Sequence, residues 1–305
     1  MKVSTITPTF MRPSYLDRML FSLASQTRKP DEVVVVVKGK DEKTKDVIDK
    51  YRNLNIVEID QSEGFLVQAY DLGIKSATGD LLLFIDDDAY AEKSWIEKYL
   101  NTFDKYKNLG GASGRVVTVK TDDLGRVIEE KVILLRPNRD TFWRRPLKIL
   151  KEYCGGISVS GLNFKKPCHD QEATIPSVLL HGSNMAVLKR VIEDISLGEL
   201  YRNSRKGLGF EMILGYHVVS KGFVTLRLLD PESPTVYHYY HKDSMTASSR
   251  WRDVFWKQYD IAKQYYRLKK LGADVSFFAY LAAMLVSFRN KPLPKILATL
   301  YAQIF

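Results

Sequence analysis

Five valines in a row, at residues 33–37, admit few structures. Their β-branched side chains lose rotamer freedom in a helix. The run is also too apolar for the edge of a sheet. What remains is a strand covered on both faces, and such strands belong to parallel sheets flanked by helices. The surrounding segments agree. Residues 3–6 are β-rich, and residues 13–25 carry Leu16, Met19, Leu20 and Leu23 at helical spacing. Residues 43–52 read as a helix, 55–59 as a strand, 65–76 as a helix and 80–85 as a strand. This β-α-β-α order predicts an α/β fold with a mostly parallel central sheet.

The remainder is less regular. Residues 115–135 hold two β-rich runs around Asp122-Asp123-Leu124-Gly125, a hairpin pattern. Residues 137–146 are basic and turn-rich, and read as a loop. Residues 178–180 lead into His181-Gly182-Ser183-Asn184, followed by a helix from about Ala186. Residues 223–228 and 235–238 read as late strands, and the pattern is helical from Arg250. The expected division is an α/β domain over 1–241 and a basic amphipathic helical extension over 242–305.

Charge follows the same division. The formal net charge is +10, but after residue 241 eleven Lys or Arg stand against four Asp, so the body is nearly balanced. A nucleic-acid-binding domain carries its basic stripe on the domain itself, so no nucleic-acid partner is expected. In the tail, Trp251, Val254, Phe255, Ile261, Ala262, Tyr265 and Leu268 recur at helical spacing among basic residues. The apolar stretch 275–288 is followed by Arg289, Lys291 and Lys295. This pattern fits either an interfacial membrane element or a helical cap on the sheet. No run reaches the roughly 18 apolar residues of a spanning helix, and no signal peptide is evident. Cys154 and Cys168 are too few for a disulfide scaffold and match no zinc spacing. Free thiols and a cytoplasmic setting are expected, with peripheral attachment to the cytoplasmic face if the tail meets the membrane.

The stretch LLLFIDDDAY, residues 81–90, sends a buried strand into Asp86, Asp87 and Asp88. In open α/β sheets, ligands bind beyond the carboxyl ends of the strands. Three adjacent carboxylates repel unless a cation or hydrogen-bond donors offset them. An acidic triplet is commonly a solvated turn, but here the position favours a hard divalent ion, Mg2+ or Mn2+, which also takes phosphate oxygens. The first strand ends Thr7-Pro8-Thr9-Phe10, without the glycines of a dinucleotide fold, and no P-loop occurs. A diphosphate must then be held by metal, which points to a nucleotide-sugar enzyme. Arg12 stands near enough in sequence to meet that diphosphate.

The stretches STITPTFMRPSYLDRMLFSLASQT, DEVVVVV, SEGFLVQAYDLGIKSATGDLLLFIDDDA, HGSNMAVLKR and GLGFEMILGYHVVSKGF span residues 3 to about 223. Together they resemble a family 2 glycosyltransferase with a GT-A fold. The resemblance implies a nucleotide-diphosphate sugar donor and inversion at the anomeric carbon by single displacement. It puts Asp86 towards the ribose with Asp87 beside it, Asp88 on the metal, and Thr7, Pro8 and Thr9 against the nucleotide. It puts Gly182, Ser183 and Asn184 along the donor sugar and acceptor. His238, in a region where some relatives bring a histidine to the metal, is a candidate ligand; with His241 it flanks two tyrosines.

Inverting transfer needs a carboxylate to take the acceptor's proton. In the family register Glu211 falls on the base aspartate, Leu214 on a leucine and His217 on an arginine. Independently of the resemblance, a glutamate there also suits a helix N-terminus. Lys38 stands where relatives often have an aspartate that reads the nucleobase, and it cannot accept a hydrogen bond. Either Asp41 substitutes or the base is held differently, with uridine favoured over guanosine or thymidine. The acceptor is expected to be a hydroxyl of a glycan, lipid-linked or at the cell envelope. Two alternatives remain: a sugar nucleotidyltransferase, which needs a glycine-rich basic loop absent from residues 7–12, and a non-catalytic relative that only binds nucleotide-sugar.

Overall fold

The computed structural model describes residues 1–39, 42–121, 127–134, 136–168, 173–239 and 250–304. The first third alternates as its periodicity predicts: β1 (Val3–Thr9), α1 (Pro13–Ala24), β2 (Glu32–Lys38), α2 (Glu42–Lys50), β3 (Ile56–Gln61), α3 (Leu66–Ser76) and β4 (Leu81–Phe84). Next come β5 (Ala89–Ala91), α4 (Trp95–Lys105), β6 (Leu109–Ser113) and the antiparallel pair β7 (Arg115–Thr121) and β8 (Val127–Val132). The turn at Asp122-Asp123-Leu124-Gly125 lies outside the described residues. Further on are β9 (Gly155–Ile157), β10 (Asn163–Lys165), β11 (Ile175–Pro176), β12 (Met185–Leu188), α5 (Lys189–Ile192), α6 (Leu197–Leu200) and α7 (Phe210–Ser220). The chain closes with β13 (Val224–Arg227), β14 (Thr235–Tyr239), α8 (Trp251–Lys270), α9 (Phe277–Ser287) and α10 (Pro292–Ile304).

The main sheet has the order β11-β13-β6-β12-β4-β1-β2-β3. The valine strand β2 lies between β1 and β3, parallel to both, and all five valines are buried. Each contributes roughly 1.5–3 kcal/mol relative to exposure. Pro8 sits in β1 without breaking a ladder, because β1 pairs with β4 only as far as Ile6. A helix from about Ala186 does not form. Residues Met185–Leu188 instead make the fully buried strand β12, antiparallel to both β4 and β6, before the single turn α5. A short apolar run has no period to separate strand from helix, and here the gap between β4 and β6 decides.

A second sheet, β5-β14-β7-β8, stands beside the Asp86–Asp88 bend. The small β9–β10 hairpin carries another departure. Its antiparallel pairing sets Lys165 opposite Gly155, bringing the flanking Cys154 and Cys168 to a Cα separation of 6.0 Å, and they are disulfide-bonded. The cysteines are therefore not free thiols, and they give no argument for a reducing compartment.

The C-terminal helix α8 is tied to the body. Buried Asp260 accepts from Ser204 Oγ, the Leu208 amide and Arg267. Gln264 Nε2 donates to the Leu208 carbonyl at 2.7 Å. This brace grips the loop immediately before α7.

Candidate functional site

Asp86, Asp87 and Asp88 occupy the bend between β4 and β5, level with the end of β1. Each meets a different partner. The Tyr70 hydroxyl, from α3, donates to Asp86 Oδ1 at 2.7 Å. Thr9 Oγ1 donates to Asp87 Oδ2 at 2.8 Å. Arg12 Nη1 lies 3.3 Å from Asp87 Oδ1 and 3.0 Å from Asp88 Oδ2. The register of β14 on β5 sets His238 opposite Ala89. His238 Nε2 is consequently 3.1 Å from Asp88 Oδ1 and 3.5 Å from Asp86 Oδ2.

The electrostatics follow from this crowding. Burial pushes the Asp87 carboxyl up, with help from Asp88 and against Arg12 and Thr9, to about 6. Burial pushes the His238 imidazole down, but the carboxylates of Asp86 and Asp88 outweigh it and raise it to about 10. Protonated His238 and Arg12 thus offset the acidic cluster. One ligand atom from each of Asp86, Asp88 and His238 lies within 4.8 Å of the others. Two carboxylate oxygens and an imidazole nitrogen suit Mn2+ or Mg2+, and a cation among them would take over the balancing role of the His238 proton.

Glu211 is the second residue of α7 and only partly exposed. Burial raises its carboxyl to about 7, helped by Asp86 and opposed by the Gly182 amide, which donates to it. A methyl at Gly182 would stand 2.9 Å from Glu211 Oε1, so this approach needs glycine. Phe210 stacks on Tyr70 at 4.8 Å between ring centres. Tyr70 therefore links α7 to Asp86. At the other side, Gly209 has φ of +80°, and a side chain there would strike Gln264 of α8. Helix α7 can start where it does because residue 209 is glycine and α8 is packed against it.

The remaining sequence candidates fall into two groups. Arg12, Asp86, Asp88 and His238 touch one another, and Glu211 is joined to them through the charge of Asp86 and held by the Gly182 amide. Thr7, Pro8, Thr9 and Asp87 brace it from within: Thr7 Oγ1 donates to the Ile85 carbonyl at 3.0 Å, and Thr9 is spent on Asp87. Ser183 Oγ pairs with His181 Nδ1 at 2.9 Å. Asn184 uses its whole amide, accepting from Trp95 and Tyr99 and donating to the Arg115 and Pro234 carbonyls. No donor or acceptor is left on it for a sugar. Lys38 donates to the Gly64 carbonyl, and His217 pairs with Asp194, away from Glu211. Asp41 and His241 lie outside the described residues.

Three residues of the site carry no mark in the sequence. Tyr70 is an ordinary aromatic on a helix, and Lys165 and Arg227 sit on late strands. Arg227 and Lys165 line a cavity of about 340 Å³ beside Glu211. Only the tertiary arrangement brings them there.

A model of the family described as glycosyl transferase family 2 matches residues 4–162, just over half of the chain. "Glucosyl-dolichyl phosphate glucuronosyltransferase" of Haloferax volcanii is 32% identical over 122 residues, covering 38% of this chain and 39% of that protein. "Poly(ribitol-phosphate) beta-N-acetylglucosaminyltransferase TarS" of Staphylococcus aureus is 30% identical over 128 residues, covering 38% of this chain and 22% of that protein. The matched stretch is thus well under half the length of either relative. Among solved structures, GalNAc-T7 with UDP, GalNAc and Mn2+ superposes with a TM-score of 0.57 at 16% identity, over 95% of this chain and 58% of that one. S. aureus TarS 1-349 with UDP-GlcNAc gives 0.53 at 17% identity, over 90% and 68%. At these identities the superpositions show the fold, which is GT-A.

Proposed function

The chain belongs to glycosyl transferase family 2, and from that premise we propose that it is a metal-dependent inverting glycosyltransferase using a nucleotide-diphosphate sugar, with UDP favoured. The observation that carries this is the placing of a partly buried carboxylate with a raised pKa, Glu211, beside the convergent Asp86, Asp88 and His238. Asp86, Asp88 and His238 would hold a Mn2+ or Mg2+ ion. When bound, that ion supplies charge neutralisation for the diphosphate leaving group.

The protein's own groups account for the rest. Glu211 accepts the proton of an acceptor hydroxyl. The acceptor oxygen attacks the anomeric carbon as the bond from that carbon to the diphosphate oxygen breaks, and the nucleoside diphosphate departs. A carboxyl near 7 is well matched to this at neutral pH. Tyr70 fixes Asp86, and Arg12 supplies positive charge at the rim of the diphosphate site. The UDP and UDP-GlcNAc bound by TarS structures favour a uridine donor. The test is release of UDP from a panel of UDP-sugars with manganese. Wild type should turn over at least one donor and Glu211→Gln should not; normal turnover by Glu211→Gln would remove the base assignment.

We further propose a lipid-linked acceptor met at a membrane surface. No helix among the described residues is long and apolar enough to cross a membrane. Yet Phe278, Leu281 and Leu285 on α9, and Leu293, Leu297, Leu300 and Ile304 on α10, form outward apolar stripes. Phe278 is 83% and Ile304 75% exposed. Arg289, Lys291 and Lys295 lie between and within these helices, as an interfacial element on anionic lipid requires. The archaeal relative is named for a dolichyl phosphate substrate, which favours the same acceptor class. In vesicle flotation, the protein should rise with anionic vesicles, and Phe278→Asp with Leu300→Asp should stay behind. Equal flotation of both would refute the contact.

A further inference from the structure

The cavity beside Glu211 has an electrostatic imbalance. It lies away from the aspartates: Asp86, Asp87, Asp88 and His238 do not line it. Its walls are largely apolar, including Leu208, Met212 and Ile261, and among the described residues Glu211 is the only carboxylate lining it. Two cations line it as well. Arg227, on β13, is only 4% exposed. It donates to the Leu179 carbonyl at 3.0 Å and weakly to the Ile133 carbonyl at 3.4 Å, and its Nε has no acceptor among the described residues. Lys165, at the end of β10, is partly buried, and among the described residues its ammonium has no hydrogen-bond or ion-pair partner.

A buried cation is ordinarily paired, because desolvation is costly. Buried Arg227 has no carboxylate partner among the described residues, and the half-buried Lys165 in the same cavity has none either. No described carboxylate forms an ion pair with either group, and Glu211 takes its shift from burial and Asp86. Burial lowers Lys165, and the nearby charges of Arg227 and Arg144 lower it further. Arg227 and Lys165 therefore repel each other across the cavity, and Glu211, which lines it too, forms an ion pair with neither. His181, in the same lining, is pushed down to about 3 by burial and by Arg227, so it adds no charge at neutral pH.

We infer that this cavity is an anion-reading acceptor subsite, in which Arg227 and Lys165 hold a phosphate carried by the acceptor while Glu211 faces the acceptor hydroxyl. The inference rests on the proposed transferase reading for the roles of Glu211 and the donor site. A phosphate between Arg227 and Lys165 relieves the repulsion between them. The apolar walls take the remainder of the molecule. A neutral sugar would leave both cations unpaired and so would be selected against.

The test is calorimetric titration of the whole protein after saturation with UDP and manganese, so that the donor site cannot capture the probe. The probes are glucose 1-phosphate against methyl glucoside, farnesyl phosphate against farnesol, and inorganic phosphate alone. A charge-assisted contact should make at least one phosphorylated probe about tenfold tighter than its neutral counterpart, equivalent to about 1.4 kcal/mol. Lys165→Gln and Arg227→Gln should shrink that ratio to about twofold or less. Preference confined to glucose 1-phosphate supports the subsite with a polar phosphorylated acceptor. Preference confined to farnesyl phosphate supports it with a lipid phosphate. Binding of inorganic phosphate that is lost in Lys165→Gln supports the anion contact alone. If Arg227→Gln does not fold, Lys165→Gln decides. Equal affinity for charged and neutral probes in wild type, or a ratio unchanged in Lys165→Gln, overturns the inference. Failure of UDP and manganese to bind at the first step would instead overturn the donor site.

Discussion

The two sides of Glu211 are electrostatic opposites. On one side, Asp86, Asp87 and Asp88 crowd into a single bend and are balanced by His238 and Arg12. On the other, Arg227 and Lys165 line a cavity, and neither forms an ion pair with a carboxylate among the described residues. The acidic side is built from contiguous sequence at a strand end. The basic side is assembled from β10, β13 and the loop before α7. The acidic side offers ligand atoms to a cation, and the basic side offers positive charge to an anion. Glu211 stands between them, close enough to Asp86 for its carboxyl to be raised and held by the Gly182 amide.

Breaking the centre should have the largest effect. Glu211→Gln removes the base and should lower transfer by about 10²–10⁴-fold, with donor affinity kept; a loss confined to donor affinity would move Glu211 out of the base role. The pH profile sharpens the same point. The folded carboxyl lies near 7 against an ordinary 4.5. Transfer should therefore fall as pH drops below about 7, as the base is protonated. Stability runs the other way. A raised carboxyl favours the protonated folded form, so its contribution is full below about 4.5 and is lost as pH rises through about 7. With partial exposure discounted, Glu211→Gln should gain on the order of 1–2 kcal/mol over wild type at pH 8, read by denaturant unfolding. A variant less stable than wild type at that pH would contradict the burial account.

The brace behind the base comes next. Gly209→Ala forces a side chain into a left-handed position and against Gln264. It should cost about 1–3 kcal/mol of stability and reduce transfer without altering metal dependence. Unchanged stability would show that α8 does not constrain the start of α7. The smallest expected effect is Tyr70→Phe. It deletes one hydrogen bond to Asp86, worth about 1 kcal/mol, and should weaken donor binding about fivefold. It should leave the preference for phosphorylated over neutral acceptor probes intact. If that preference changes as well, the two sides are not independent.

The acidic side was legible in the sequence for physical reasons. Buried parallel strands read as unbroken apolar runs, so β2 and β4 declare themselves, and β4 delivers Asp86, Asp87 and Asp88 to the carboxyl end of a sheet strand. His238 and Glu211 were legible only through the family register. The family match ends at residue 162, before either of them. The basic side was not legible. Arg227 and Lys165 are single basic residues in β-rich segments, and nothing local tells a solvated cation from a buried one. The bonds that occupy the Asn184 amide were not legible for a related reason: they run to Trp95, Tyr99, Arg115 and Pro234, all distant in sequence. The β12 strand and the Cys154–Cys168 bond likewise depend on neighbours distant in sequence.

The most direct measurement is a thermal-shift screen of UDP-, GDP- and dTDP-sugars, each with and without manganese, on wild type and Asp88→Ala. Wild type should be stabilised by a UDP-sugar only when manganese is present, and Asp88→Ala should not be stabilised at all. Equal stabilisation of both proteins, or stabilisation that ignores manganese, would contradict a metal-held diphosphate at Asp86, Asp88 and His238.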